Sequence, residues 1–271
     1  MSNIVLSPGV RSNLLQLQQT ADLITTTQTK LATGKRVNSA LDNPINYFTA
    51  QGLTNRAKDL NSLLDTMSTG INTIQAANNG ITAITKLVQS AQSLVTQAQQ
   101  TSDSTVRANL ATQYDSIRTQ IDQLAGDSGL NGVNLLGGSD LTITLNEDGS
   151  SKVIVSGVDD SSAGALAIGA ATNAWVNPAD MTQAANDLTA SLTTLRSQAQ
   201  ALSSNLQTVQ VRQDFTKAMV NTLNTGSDNL TLADSNEEGA NLLALQTRQQ
   251  LSTTALSLAS QADQNVLKLF Q

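Results

Sequence analysis

The sequence contains no cysteine and no histidine, and these absences exclude several kinds of chemistry. Without cysteine the chain forms no disulfide and no thiolate metal site. Without histidine it lacks the commonest acid–base catalyst and metal ligand. Both absences are compatible with any compartment.

Aromatic and charged residues are scarce, at 2% and 13% of the 271 residues. Ordinary soluble domains have roughly 25% charged residues, and aromatic side chains anchor compact interiors. The abundant Leu, Ile, Val and Ala instead suit seams between helices. The net charge of −6 argues against a nucleic-acid partner, which requires basic patches. No apolar run approaches the roughly 18 residues of a membrane span, and MSNIVLSPGV lacks the features of a cleavable secretory signal.

Proline and glycine divide the chain into helical and non-helical parts. Each of the three prolines, Pro8, Pro44 and Pro178, precedes a long periodic stretch, and the first turn of a helix tolerates proline. Nine of the sixteen glycines lie between Gly126 and Gly169, so the centre is not helical. The periodicity predicts helices over about 9–33 and 46–100, a shorter one capped by SDS at 102–104, one from Pro178 that TGSDN (225–229) interrupts, and one over about 239–271.

The second helix has the longest regular pattern. Its apolar residues alternate at spacings of three and four, which indicates a heptad seam. Asn78, Thr85 and Gln92 occupy slots in this seam, and two interpretations stay open: they set its register, or they are exposed slots on a drifting seam. The apolar series is Ala50, Leu53, Ala57, Leu60, Leu64, Met67, Ile71, Ile74, Ile81, Val88 and Val95.

The centre of the chain predicts a small β region. LTITLNEDGSSKVIVS (141–156) alternates apolar and polar residues around Asp148-Gly149, which favours a hairpin, and a second, weaker pair of strands is expected near 165–176. The predicted fold is mainly α: an elongated antiparallel bundle of long coiled-coil helices with a β-hairpin region in the middle. The middle helices pair with each other, and so do the terminal helices.

The last helix has more apolar surface than one partner helix can cover. Apolar residues form two adjacent stripes, one through Leu258 and one through Leu256, and Leu267 lies off both. A helix that is apolar over most of its circumference is buried on several sides, and head-to-tail contacts between identical chains build filaments. The candidate self-assembly residues are Leu14, Leu17, Ala21, Ile24 and Leu31 in the first helix and Leu251, Leu256, Leu258, Val266, Leu267, Leu269 and Phe270 in the last.

Short motifs that suggest chemistry are incomplete. ATGKR (32–36) lacks the upstream glycine and the final Ser/Thr of a phosphate loop, so Gly34 is interpreted as a helix C-cap. Residues 146–149 lack the downstream ligands of a calcium loop, and the acidic residues at 234–238 suit the start of a helix. We therefore expect no catalytic residues, metal or cofactor.

Three segments resemble bacterial flagellins. LATGKRVNSALDNP (31–44) resembles their N-terminal signature, LNGVNLL (130–136) the segment after their second core helix, and LQTRQQLSTTALSLASQADQNVLKLF (245–270) their C-terminus. SNIVLSPGVR and LDNPINYF resemble the alphaproteobacterial type. The residues that match the signatures are Gly34, Arg36, Asn38, Ser39, Asp42, Pro44, Asn131 and Gly132.

The resemblance implies a structural subunit that is exported unfolded through the flagellar type III apparatus and polymerises into an extracellular filament for swimming. Residues 1–40 with 231–271 would form an inner coiled-coil domain, disordered in the monomer, and 41–230 a middle domain with a β region at about 130–177. The large outer domains of many flagellins are missing, which implies a thin, smooth filament. The implied partners are further copies of the chain, an export chaperone, and junction and cap proteins.

One departure from the family concerns innate immunity. Flagellins that the receptor TLR-five senses carry a charged Gln-Arg-Val-Arg-Glu-Leu stretch, whereas residues 88–93 here read VQSAQS, without charge. The resemblance therefore implies poor recognition by this receptor.

Two other functions stay open at the level of sequence. A hook–filament junction protein would share the terminal helices and the export route, although the strong C-terminal match and the minimal middle favour flagellin. A secreted coiled-coil protein that acts on membranes is the other alternative. The last helix has few basic residues, chiefly Arg248 and Lys268, which speaks against it.

Overall fold

The computed structural model of the chain describes residues 8–269, without the side chains of Asp263 and of residues 266–269. Its order of elements is helical, then β, then helical, which confirms the predicted class of fold. The elements are α1 (Pro8–Thr33), α2 (Pro44–Gln100), α3 (Ser104–Asp127), β1 (Leu141–Thr144), β2 (Lys152–Val155), α4 (Pro178–Thr231) and α5 (Ser235–Leu269).

The chain divides into two compact units. One consists of the residues up to Asn55 together with those from Thr222 onward, and the other consists of Arg56–Asn221. We call these the terminal unit and the middle unit. The predicted inner and middle domains, with boundaries at 40/41 and 230/231, describe layers of a filament and stay a prediction.

The core of the middle unit follows the predicted seam of α2. The seam residues at the centre of α2 are buried, and a second set on an adjacent face of the same helix joins them. Helices α3 and α4 and the β region complete this core. The polar slots Asn78, Thr85 and Gln92 are half-buried. The buried seam residues are Met67, Ile71, Ile74, Ile81, Val88 and Val95, and the adjacent face contributes Ile84, Ala91 and Ala98.

The hairpin packs onto α2 through its inward face. Its antiparallel register pairs Leu141 with Val155 and Ile143 with Val153, and Gly149 adopts a φ of 70° in the turn. Ile143 is buried against Gly70, where a Cβ atom would clash with its side chain. The predicted hairpin is therefore present, and it is fixed to a helix by a close approach that only glycine allows.

Two helix boundaries differ from the prediction. TGSDN (225–229) does not interrupt α4, which continues to Thr231. Gly226 lets α4 approach Leu53, and the Ser227 hydroxyl contacts the Ala50 carbonyl oxygen at 3.3 Å. The break comes instead at 232–234, because the Asp234 side chain accepts hydrogen bonds from the backbone amides of residues 236 and 237 and so starts α5 at Ser235.

The second pair of strands, expected near 165–176, was wrong. This segment forms turns and ends in a short left-handed stretch, in which Asn173, Ala174 and Trp175 have φ values of 49°, 48° and 56°. Trp175 is fully buried, and its ring lies 5.1 Å from that of Tyr114 between centroids. Burial of one large side chain thus holds a backbone conformation that local preference opposes.

Many threonine hydroxyls along the helices donate to the carbonyl oxygen four residues earlier in the same helix. Examples are Thr25, Thr26 and Thr29 in α1, Thr66, Thr69, Thr73, Thr82, Thr85 and Thr96 in α2, and Thr182, Thr189, Thr193, Thr194 and Thr208 in α4.

Candidate self-assembly surface

The signature segment between α1 and α2 is tied to the connection between α4 and α5. Gly34 ends α1 with a φ of 66°, and its carbonyl oxygen accepts a hydrogen bond from the Ala233 amide at 3.0 Å. The Arg36 amide donates to the Thr231 carbonyl oxygen at 2.7 Å, and the Arg36 guanidinium donates to the carbonyl oxygen of Leu230 at 3.3 Å. Within the terminal unit, the signature therefore ties the end of α1 to the connection that precedes α5.

Asp42 organises the turn that leads into α2. Its Oδ2 atom accepts hydrogen bonds from the Asn38 amide at 3.0 Å and from the Ser39 amide at 2.9 Å. These amides hold the pKa of the Asp42 carboxyl below its usual value, the Ser39 amide most strongly. Pro44 then occupies the first turn of α2. The signature residues between Gly34 and Pro44 thus form a hydrogen-bonded corner between α1 and α2.

This corner exposes three large apolar side chains. Leu41 is 96% exposed, Ile45 is 78% exposed and Phe48 is 64% exposed. Phe48 also packs edge-on against Tyr47, with ring centroids 5.5 Å apart. Contiguous apolar exposure beside such a corner is typical of an interaction surface.

Helices α1 and α5 contact each other along a seam that mixes apolar and polar side chains. The faces turned toward each other follow a heptad spacing in both helices, but the α5 side is only half-buried throughout. Thr20 and Thr27 are among the buried residues of α1. The inward residues are Val10, Asn13, Leu17, Thr20, Ile24, Thr27 and Leu31 in α1 and Glu238, Leu242, Leu245, Gln249, Ser252, Leu256 and Ala259 in α5.

The outward faces of the same pair carry leucines that the chain does not cover. Leu251 and Leu258 are 66% and 62% exposed. These leucines stand among exposed polar residues on the outward faces of both helices. The exposed leucines of the two helices are Leu14, Leu15, Leu23, Leu243, Leu251 and Leu258.

The candidate self-assembly residues fall into three groups. Those turned toward the partner helix are Leu17, Ile24, Leu31 and Leu256, and those turned outward are Leu14, Ala21, Leu251 and Leu258. The periodicity of the first helix predicted Leu14 and Ala21 on its seam, but the neighbouring residues Asn13 and Thr20 occupy those positions. The third group lies outside the described residues or side chains: Val266, Leu267, Leu269 and Phe270.

The LNGVNLL segment (130–136) forms a tight turn shortly after the end of α3. Asn131 and Gly132 both have positive φ, and Leu130 and Val133 exchange two backbone hydrogen bonds around them. Sequence reasoning missed Asn134, whose amide donates to the carbonyl oxygens of residues 125 and 126 and so covers the end of α3. Asparagine a few residues after a helix would have been the signal for this role.

Sequence comparison places these features in a known family. A family model described as the bacterial flagellin N-terminal helical region matches residues 10–140. The protein named Flagellin FljK of Caulobacter vibrioides is 31% identical over 280 residues, which cover 100% of this chain and 99% of that protein. The chain belongs to the flagellin family.

Further flagellins match over the same extent. Flagellin FljN of Caulobacter vibrioides is 30% identical and covers 100% of this chain, and a flagellin of Brucella melitensis is 25% identical with full coverage of both proteins. The crystal structure of Bacillus cereus flagellin has a TM-score of 0.48 at 19% identity and covers 57% of this chain. The family assignment rests on the sequence relatives.

No helix among the described residues of this flagellin is long and apolar enough to cross a membrane. Likewise, the described residues contain no group of three or more acidic side chains that could hold a metal ion.

Proposed function

We propose that this chain is the repeating subunit of a flagellar filament, exported unfolded and polymerised outside the cell for swimming. The observation that carries the proposal is the set of exposed leucines on the outward faces of α1 and α5. In a single chain the side chains of these leucines are in contact with water. Further copies of the same chain supply the missing cover.

The energetics of the terminal unit favour assembly. Burying a leucine side chain stabilises by about 1.5–3 kcal/mol. The α5 side of the seam is only half-buried within one copy, and burial of Leu251 and Leu258 between copies would add to the stability of the helix pair. We infer that the terminal helices are weakly ordered in the monomer and become ordered on assembly.

The layers of the filament follow from this proposal. Residues 1–40 and 231–271 form the inner domain, and residues 41–230 form the shell around it. Without large outer domains this shell is the filament surface. The export chaperone and the cap and junction proteins are the further partners expected for such a subunit.

The test replaces one outward leucine at a time in the full-length chain. Leu251→Asp and Leu258→Asp place a charge on a side chain that is exposed in the monomer, so folding and secretion should be retained. In a filament the same charge would be buried without a partner, at a cost of several kcal/mol per subunit. We expect no filaments from either variant when purified protein is assembled in salt and viewed by negative-stain microscopy.

Gln250→Asp is the matched control, because it adds the same charge at an exposed polar position of the same helix. It should assemble more readily than either leucine variant. Normal filaments from Leu251→Asp and Leu258→Asp would overturn the proposed surface. A wild-type chain that forms no filament and binds hook protein instead, at about one ring per flagellum, would establish the junction role.

A further inference from the structure

Asp160 is a carboxylate buried in the middle unit, away from the proposed assembly surface. It is 0% exposed and lies in the loop that follows β2. Its backbone amide donates to the Leu136 carbonyl oxygen at 2.8 Å, and its Oδ1 atom accepts a hydrogen bond from Gln198 Nε2 on α4, also at 2.8 Å. The side chain therefore joins the loop to a long helix.

The other two polar atoms of this pair are unpaired. Asp160 Oδ2 and Gln198 Oε1 are both buried, and neither has a hydrogen-bond partner among the described residues. Both atoms are acceptors while the carboxyl is ionised, so neither can satisfy the other. A buried polar atom without a partner costs about 1–3 kcal/mol, and more when it carries charge.

The surroundings offer no compensating charge. Both side chains border a cavity of about 60 Å³ whose walls are mainly apolar and come from α2, β2, α4 and the loops. Among the described residues that line this cavity, Asp160 is the only titratable one. The remaining lining residues are Ile81, Leu135, Leu136, Val155, Ser156, Val158, Ala201, Leu202 and Asn205.

The nearest charged groups lie outside the cavity lining. Asp159 precedes Asp160 in the loop, and its negative charge disfavours a second one beside it. On α3, Asp122 and Arg118 both contact Ser162, two residues further along. On α4, the exposed Arg196 lies two residues before Gln198.

A single proton on Asp160 Oδ2 can satisfy both unpaired acceptors. The protonated Oδ2 atom is a donor, and Gln198 Oε1 belongs to the amide whose Nε2 already binds the same carboxyl group, so it can accept this hydrogen bond. The result is an acid–amide pair joined by two hydrogen bonds. Burial, opposed by the Gln198 hydrogen bond and reinforced by Asp159, raises the pKa of the Asp160 carboxyl to about 6.

We propose that Asp160 and Gln198 form a proton-binding site that clamps the loop after β2 onto α4 when Asp160 is protonated and weakens this attachment when Asp160 is ionised. The site makes the stability of the middle unit depend on external pH in a range where ordinary carboxylates do not titrate. This inference does not depend on filament formation.

The sign of the effect follows from the two states of the carboxyl. In the unfolded chain Asp160 ionises near its ordinary pKa of 3.8, and in the folded chain near 6. The stabilisation is complete below the lower value and is lost as pH rises through the higher one. Between pH 5 and pH 7.5 the unfolding equilibrium constant should rise about tenfold from this group alone.

The experiment compares the full-length monomer with Asp160→Asn. Asparagine has the same shape and reproduces the acid–amide pair at every pH, because its amide donates to Gln198 Oε1. Trp175, the only tryptophan, is buried in the middle unit and reports its unfolding in urea by fluorescence. We expect the ratio of the wild-type to the variant unfolding constant to be about tenfold larger at pH 7.5 than at pH 5.

Asp159→Asn is the matched control, since it removes a neighbouring exposed carboxylate and should keep the titration of Asp160 while moving it to a slightly lower pH. Direct NMR titration of the ¹³C-labelled Asp160 carboxyl in the wild type provides a second measurement that requires no variant. A carboxyl that titrates near 4 would overturn the proposal. So would a titration that shifts on addition of calcium, because the cavity would then hold a cation in place of the proton.

Discussion

Lys30 Nζ lies 3.0 Å from Glu238 Oε1, and this ion pair joins the last turn of α1 to the first turn of α5. Both side chains are less than a third exposed. Because its two partners come from different helices, the pair helps to fix the register of the two terminal helices.

We expect Lys30→Met and Glu238→Gln each to weaken assembly, because each leaves the other partner unpaired in a filament. The critical concentration for polymerisation should rise about two- to fivefold, which corresponds to about 0.5–1 kcal/mol for a partly exposed pair. The critical concentration of the double variant should rise by less than the product of the two single-variant factors. Fully multiplicative effects would mean that the two side chains do not interact in the assembled state.

Charges at the end of α5 should block assembly without blocking secretion. Leu267→Asp and Phe270→Asp place a charge in the segment that the sequence predicts to be buried between copies, at a cost of several kcal/mol per subunit. Secretion can be measured in culture supernatant and assembly by electron microscopy. Gln264→Asp, at an exposed polar position of the same helix, is the control. Normal filaments from both hydrophobic-to-charged variants would refute the burial of this segment.

The left-handed stretch before α4 provides a test of backbone strain. Ala174 is exposed and has a φ of 48°, so Ala174→Gly removes a steric conflict at little loss of packing. Left-handed conformation costs about 1–2 kcal/mol for a residue with a Cβ atom, and glycine adds about 0.5–1 kcal/mol of unfolded-state entropy. We expect a net gain of about 0.5–1 kcal/mol in urea unfolding monitored by Trp175. Ala170→Gly, at a nearby residue without positive φ, should destabilise slightly.

The stability of the turn at Asp42 should change with pH in the opposite direction to that of the Asp160 site. Its carboxyl has a lowered pKa because backbone amides bind the ionised form. The turn is therefore supported above the ordinary pKa of 3.8 and weakens as pH falls below it. We expect the Asn38 and Ser39 amide signals to shift upfield on acidification, with a midpoint below 3.8. Asp42→Asn should abolish this titration, and an unchanged titration in that variant would assign it to another group.

The absence of charge on part of α2 predicts weak detection by the vertebrate receptor TLR-five. In residues 88–93, Val88 and Ala91 are buried, whereas Gln89, Ser90 and Ser93 are exposed and neutral. A receptor reporter assay should show little activation by purified monomer. Strong activation at nanomolar-scale protein would contradict this prediction.

Periodicity in the sequence predicted the long helices because their seams repeat over many turns. It failed where a distant contact decides the local structure. Gly226 and Ser227 have the composition of a turn, yet they continue α4 because they pack against residues of α2 far away in sequence. The left-handed stretch at 173–175 likewise depends on burial of Trp175 against Tyr114.

The assembly surface could be predicted only in part. The apolar stripes of α5 identified which residues need cover, but periodicity alone could not separate the face turned to α1 from the face turned outward. Polar residues in the α1 seam caused the difference, since Asn13 and Thr20 lie inward where Leu14 and Ala21 were expected. Which residues touch other copies stays a prediction, because it depends on chains that a single subunit does not contain.

The threonine hydroxyls that bond back to their own helix have a mechanical consequence. A hydroxyl that shares a backbone carbonyl oxygen weakens the regular ladder on one side and lets the helix bend there. Such threonines recur along α1, α2 and α4, so compliance is distributed over many turns and is not concentrated at one hinge. Helices built in this way can absorb curvature in small increments along their whole length.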